Sequence, residues 1–289
     1  MLQCVVLASE VDMDGFRAAA RRLLQQGVEP DAVDWSVAGS AVPSLFADDA
    51  LAATGASVAL SAVQHPSPLR VPAEFLALCK DVLQHADPGR FQRLYRLLWR
   101  LQRERRLLHD VLDPDLVQAR LMAQTVRREQ HKMKAFVRFR EVREPEAAPD
   151  DAPLHVAWFE PAHHVVEAVA PFFMRRFAGM RFLILTPERS VHWDGKALTL
   201  AAGAGRHQAP SADAGEALWL TYYASIFNPA RLKLKAMEKE MPRRYWRNLP
   251  EAVLISGLSV AAHERTGQMI EREPQPTSRR LARARGSLD

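Results

Sequence analysis

The sequence predicts an α+β fold, with a mostly antiparallel central sheet, helices packed against it and an N-terminal helix-rich layer. Three observations carry this. Apolar residues recur at helical spacing through residues 13–26, 73–85 and 87–109 and again after Asp113. The period then shortens to strand-like alternation in "KAFVRFREV". Finally, "RFLILT" and "VHWDGKALTLA" flank a short "PERS" turn and read as a hairpin. Together these segments describe one domain over 1–270, helix-rich over 1–134, sheet-containing over 135–202 and helical over 214–270. Residues 271–289 lack an apolar stripe and read as a disordered basic tail.

The elements follow in order. "LQCVVLA" is a buried strand, and a helix from Met13 to Gln26 stops at Gly27, a C-terminal capping residue. "AVDWSVAG" returns as a strand, after which Pro43, Pro66, Pro68 and Pro72 punctuate a loop-rich passage. Helices are expected over Ala73–His85 and Asp87–His109; a third opens where Asp113 can cap and Pro114 fits the first helical position. In "KAFVRFREV", Phe136, Arg138 and Arg140 alternate with Val137, Phe139 and Glu141. "REPEAAPDDAP" is a solvent loop, and "LHVAWFE" is a strand leading through Pro161 into a helix that carries His163 and His164. Asp194-Gly195 marks a tight turn. "GAGRHQAPSADAG" is a loop, followed by helices over 214–227, 231–240 and 245–265.

Composition narrows the function classes. No GxGxxG follows a strand and no GxxxxGK[ST] occurs. Cys4 and Cys79 are the only cysteines, too few for a disulfide framework or a Cys-rich metal site. No cofactor and no metal are expected. The opening reaches Glu10 and Asp12 before a signal-like apolar region is complete, and no apolar run is long enough to span a bilayer. A cytoplasmic protein without membrane contact is expected. The net charge of +5 is segregated: residues 1–89 sum to −6, 90–144 to +8 and 231–247 to +5. That segregation points to a polyanion partner or to solvated faces.

"WFEPAHHVVEAVAPFFMRRF" poses the sharpest chemical question. At about 100° per residue His163, His164 and Glu167 share one arc of a helix, opposite Val165, Val166 and Val169. Adjacent histidines diverge, so chelation is awkward, whereas a carboxylate three or four residues on can orient an imidazole for proton transfer. Glu160 can assist. A solvated polar face accounts for the same pattern. Pro171 should end or kink this helix, and Arg175 and Arg176 beyond it either approach an anion or form a basic rim.

Two segments suit nucleic acid. Arg90, Arg93, Arg96, Arg100 and Arg103 recur at spacings of three and four beside a leucine stripe, a face that can neutralise phosphates or simply be solvated. "YYASIFNPARLKLKAMEKEMPRRYWRNLPEA" interleaves Tyr222, Tyr223 and Trp246 with Arg231, Lys233 and Arg243, which suits unstacked bases, and the Asn228 amide can read a base edge. Core packing of the aromatics is the plain alternative.

The strings "HKMKAFVRFREV", "VAWFEPAHHVVEAVAPFFMRRF", "LILTPERSVHWDG", "FQRLYRLLWRL" and the aromatic-basic segment resemble a bacterial "probable DNA metabolism protein" family, over roughly residues 1–260. The resemblance implies a companion of a radical SAM protein proposed to modify or repair DNA, a domain sometimes fused to a uracil-DNA glycosylase-like one. The chain has no CxxxCxxC and resembles the stand-alone form. The resemblance brings no established catalytic residues.

Residues and resemblance together leave three expected functions. The first is an accessory protein that presents single-stranded or damaged DNA to a radical SAM partner, with Arg138 and Arg140 joining the histidine arc in a central cleft. The second makes that cleft a base- or phosphodiester-processing active site using His163, His164, Glu167 and Glu160. The third is a protein-interaction scaffold without DNA contact.

Overall fold

The computed structural model describes residues 2–39, 71–142, 153–209, 234–252 and 254. The fold is α+β. Its first unit is a parallel pair, β1 (Gln3–Leu7) and β2 (Val33–Val37), joined through α1 (Met13–Gln25). Asp12 caps α1 by accepting from the Gly15 amide at 2.8 Å, and Gly27 takes the left-handed backbone that releases the chain. Val5, Leu7 and Val33 turn inward, and Cys4, Val6 and Asp34 turn outward.

Helices α2 (Ala73–Val82), α3 (Arg90–Leu101) and α4 (Pro114–Phe136) complete the N-terminal layer. Asp113 caps α4 from its expected place, accepting from the Leu116 amide at 2.9 Å. α4 is long enough to serve two cores. Leu116, Ala119, Met122 and Ala123 pack with α1, α2, α3 and the parallel pair, while Val126 and Met133 join the second core.

That second core lies under a five-stranded sheet ordered β3 (Phe139–Val142), β4 (Leu154–Trp158), β5 (Arg181–Leu185), β6 (Arg189–Trp193) and β7 (Leu198–Ala202). All its pairs are antiparallel except β4 and β5, which are parallel and linked by α5 (Val166–Arg176). One face, with Phe139, Ala157, Phe182, Ile184 and Val191, packs on α5, the second half of α4, and Tyr245 and Leu249. On the other face Val156, Trp158 and Leu185 form a smaller cluster. The hairpins turn at Thr186–Glu188 and at Asp194-Gly195, where Gly195 has φ 95°. α6 (Leu234–Glu240) and a 3-10 helix, Arg243–Asn248, follow. No helix among the described residues is long and apolar enough to cross a membrane.

Four local expectations need correction. His163 and His164 lie in a turn before α5, not on it, because the turn's backbone donors are satisfied elsewhere. The Ala162 amide donates to Glu129 at 3.0 Å, and the His164 amide donates to the Gln84 carbonyl at 2.8 Å. Phe136 ends α4 and does not start a strand: the Val137 amide still donates to the Met133 carbonyl, and the Arg138 guanidinium folds back on the Ala135 carbonyl. The expected helix over Asp87–His109 is α3 followed by a separate 3-10 turn, Leu107–His109, where the chain reverses into α4. Finally, Pro171 does not end α5, which runs through it and continues to Arg176.

Candidate active site

At the carboxyl ends of β1 and β2 the chain leaves a cavity of about 380 Å³. Outside the carboxyl ends of parallel strands is where α/β units hold ligands. Residues Ala8–Val11 and Val37–Gly39 form one wall; His164, Val166, Glu167, Glu188 and Arg189 form the other. Gly39 has φ 80°, a conformation that costs a residue without Cβ little.

His164 is the centre of this geometry. Its Nδ1 lies 2.6 Å from Glu188 Oε2 and its Nε2 lies 3.8 Å from Glu10 Oε2, with the ring mostly buried. A carboxylate only accepts, so Nδ1 carries a proton and Nε2 is the nitrogen left to exchange one. The hydrogen bond from His164 holds the Glu188 carboxyl below its ordinary pKa, against the effect of partial burial. Glu188 therefore stays anionic, orients the ring and stabilises an imidazolium when one forms, the role of the carboxylate in carboxylate-histidine pairs.

Glu10 is fixed by Arg90, which starts α3 and is 1% exposed. Arg90 donates to the carbonyls of Leu83 (2.8 Å), Asp87 (3.0 Å) and Glu10 (3.0 Å) and to the Glu10 carboxylate. Glu167 pairs with Arg189 at 3.1 Å. The lining thus holds three carboxylates, one imidazole and one guanidinium, a poor counterpart for phosphate and a good one for a neutral hydrogen-bonding group. Among the described residues no group of three or more His, Cys, Asp or Glu is arranged to hold a metal ion.

The turn that carries His164 is anchored from beneath. Buried Glu129 accepts from the Ala162 amide, from the Tyr245 hydroxyl at 2.7 Å and from Arg244. Gln130 donates to the Gln84 side chain at 2.8 Å, and the Gln84 carbonyl receives the His164 amide. His163 faces away from the cavity, its ring 4.3 Å from that of His85. The amides of Ala86 and Asp87 donate to Nδ1 of His163 and His85 respectively, so in both rings Nδ1 is the accepting nitrogen.

A model of DUF4130, a domain of unknown function, matches residues 88–251, more than half of the chain. The chain belongs to the DUF4130 family. No curated protein and no solved structure matches it. The matched DUF4130 span contains His164, Glu167, Glu188, Arg189 and Glu129, whereas Glu10 and the wall at Ala8–Val11 and Val37–Gly39 lie before it. The N-terminal unit therefore closes a site whose titratable core stands on the DUF4130 region.

Of the catalytic candidates, His164 and Glu167 line the cavity; His163 and Glu160 do not. Glu160 accepts from the Trp158 indole at 2.8 Å and pairs with Arg247. Sequence reasoning missed Glu10, Glu188, Arg189, Glu129 and His85. A signal existed for three of them: Glu10 follows a strand end, Glu188 sits in a hairpin turn, and Glu129 falls on the buried stripe of α4 between Val126 and Met133.

The basic helix of this DUF4130 chain also differs from expectation. Arg90 is interior. Arg93 pairs with Asp115 at 3.0 Å, Arg96 with Asp31 and Asp115 at 3.5 Å each, and Arg100 with Asp113 at 2.6 Å and Glu104 at 3.2 Å. Burial alone would raise the Asp113 pKa, but Arg100 and the Leu116 amide hold it below the ordinary value. Arg103 is exposed, its guanidinium 5.8 Å from the Trp99 ring centroid. Most of the arginine row is thus engaged by carboxylates from other segments.

Arg138 and Arg140 do not join the histidine site. Arg140 pairs in register with Val156, so it belongs to the sheet face away from α5, and with Arg138, Trp158, Arg206 and Asn248 it lines a shallow hollow there. Arg138 is held by Glu251 at 2.8 Å. Arg243 pairs with Glu238 at 2.6 Å and lies over the Trp246 ring, whose indole donates to the Met241 carbonyl. Arg175 and Arg176 are exposed at the end of α5. Tyr222, Tyr223, Asn228, Arg231, Lys233 and the 271–289 tail lie outside the described residues.

The neutral histidine pair gives a pH dependence. Burial, reinforced by His85, lowers the His163 pKa from 6.5 to about 4, and burial lowers that of His85 as well. Between pH 6.5 and about 4 the unfolded chain binds the proton that the folded one resists, so stability is lost as the pH is lowered through that window. Thermal melts from pH 7.5 to 4 should show this decline, and His163→Asn should flatten it.

Proposed function

We propose that this chain is a cytoplasmic protein of DNA repair or modification whose cleft receives an unstacked base, or a comparable neutral polar group, and exchanges a proton with it through His164 Nε2. The observation that carries the reading is His164 held between Glu188 and Glu10 in the wall of the 380 Å³ cavity. The DNA part draws its support from the resemblance of the sequence motifs to the DNA metabolism family. The proton-transfer part draws on geometry: an oriented imidazole with one free nitrogen meets the requirements of general acid-base catalysis. Enzymes that work on bases take them out of the stack and read them by hydrogen bonds in a closed pocket. The carboxylate-rich lining supplies acceptors for such a group.

A second reading, an accessory that docks a radical SAM partner, is favoured by one observation. Val111, Leu112, Val117 and Leu121, neighbours in sequence around the start of α4, are each exposed, Leu112 by 85%. Apolar clusters on a surface mark contact sites.

One experiment separates the two. Oligonucleotides carrying uracil, alkylated or oxidised bases are incubated with the protein and analysed for base release or alteration. Turnover that falls at least about 100-fold in His164→Ala and tenfold or more in Glu188→Gln, with oligonucleotide affinity retained, supports the active site. Absence of turnover by the wild type, with a purified radical SAM partner captured by it and not by Leu112→Glu, replaces the first reading with the second.

A further inference from the structure

We infer that the carboxyl-terminal ends of α4 and α5 form a landing surface for a nucleic-acid strand, made of Lys134, Arg175 and Arg176 around Phe172. This surface deepens the DNA reading and rests on it, but uses a different part of the molecule from the cleft.

Many of the chain's cations are already engaged. The sequence concentrates positive charge in 90–144, yet α3 commits much of its share to Glu10, Asp31, Asp113, Asp115 and Glu104. Lys134, Arg175 and Arg176 are exposed, and among the described residues none of them has a carboxylate partner. Their neighbours are aromatic. Lys134 Nζ lies 5.4 Å from the centroid of Phe172, and the Arg176 guanidinium lies 5.4 Å from that of Phe177; both rings are partly accessible. Part of this charge complements the negative ends of the two helices. A polyanion arriving here still meets three cations that need not first be released from an ion pair, beside an aromatic ring on which a base can rest.

The direction of α5 connects this surface to the cleft. The helix opens beside His164 and Glu167 and closes at Arg176, 11 residues or about 16 Å later. Val166, Val169, Ala170 and Phe173 face inward, which leaves Glu167, Ala168, Pro171 and Arg175 along the outer side. A strand lying on that side is held by its phosphates at one end of the helix. It reaches the cavity at the other end, on the order of five nucleotides away at about 3.4 Å per residue of a stacked strand.

The test measures binding of a fluorescent single-stranded 15-mer by anisotropy over a range of salt concentrations. Wild type should lose affinity steeply with salt. The triple variant Lys134→Glu, Arg175→Glu, Arg176→Glu should bind at least tenfold more weakly, its log-log salt slope shallower by about two, since each phosphate left without its cation removes about 0.7 from the slope. Arg22→Glu, which reverses an exposed charge on α1, should change neither, and melting curves establish that all variants fold. Unchanged affinity and slope in the triple variant overturn the surface while leaving the DNA reading in place. Failure of the wild type to bind any oligonucleotide overturns both. Competition by polyglutamate as strong as by unlabelled oligonucleotide overturns the nucleic-acid assignment in favour of an acidic protein partner.

Discussion

Glu129→Ala is expected to lower the melting temperature by roughly 6–16 °C, a loss of about 3–4 kcal/mol. The carboxylate is 3% exposed and accepts from three donors at once: the Ala162 amide, the Tyr245 hydroxyl and the Arg244 guanidinium. Arg244 is half exposed and can turn to water, so most of the cost comes from the other two. Each buried donor left without a partner costs about 1–3 kcal/mol. Burial, and then the hydrogen bond to Glu129, raise the Tyr245 pKa well above its ordinary value, so this hydroxyl stays a donor across the accessible pH range. Glu129→Gln keeps an acceptor for the Ala162 amide and should cost clearly less. Calorimetric melts of both variants check the order. A smaller effect of alanine than of glutamine would mean that the three donors find other partners. Because Ala162 and His164 share one turn, Glu129→Ala should also weaken turnover more than its fraction unfolded explains.

Arg90→Leu is expected to cost about 3–5 kcal/mol, the range for removing one member of a buried ionic set. Arg90 is 1% exposed, and its departure strands the Leu83 and Glu10 carbonyls and the Glu10 carboxylate, while the Asp87 carbonyl keeps the backbone amide of residue 90. It also stacks on Phe91 at 4.1 Å. Lysine supplies one charge but not the planar fork, so Arg90→Lys should recover only a minor part. Urea denaturation measures both. A cost below about 1 kcal/mol for leucine would place Arg90 in solvent contact after all. Oligonucleotide affinity should be unaffected, the opposite of what a phosphate-facing arginine would show.

Arg90 also marks the limit of what could be read from the sequence. The regular spacing of Arg90, Arg93, Arg96 and Arg100 was legible, and so was the amphipathic helix they stand on. Their partners were not, because Asp31, Asp113, Asp115 and Glu10 come from other segments and reach α3 only when the chain reverses. Local rules succeeded where the interaction is local: Asp113 and Pro114 opening α4, Gly27 closing α1, Asp194-Gly195 turning a hairpin. They failed at His163 and His164, whose conformation is set by Glu129 of α4 and by Gln84 in the turn after α2. His164 and Glu167 were nonetheless found by residue type, since both remain beside the start of α5. The turn that carries Glu188 was legible, but a glutamate in a turn has no local signature of the imidazole it meets.

The cavity wall contributed by Ala8–Val11 and Val37–Gly39 precedes the DUF4130 span, whereas His164 and Glu188 stand within it. If the proposed acid-base role holds, selectivity and reactivity are therefore carried largely by different segments. On the proposed reading, reshaping the loop at Val37–Gly39 would change which compounds are admitted while His164, Glu188 and Glu10 keep their places, so one chemistry could be fitted with different entrances.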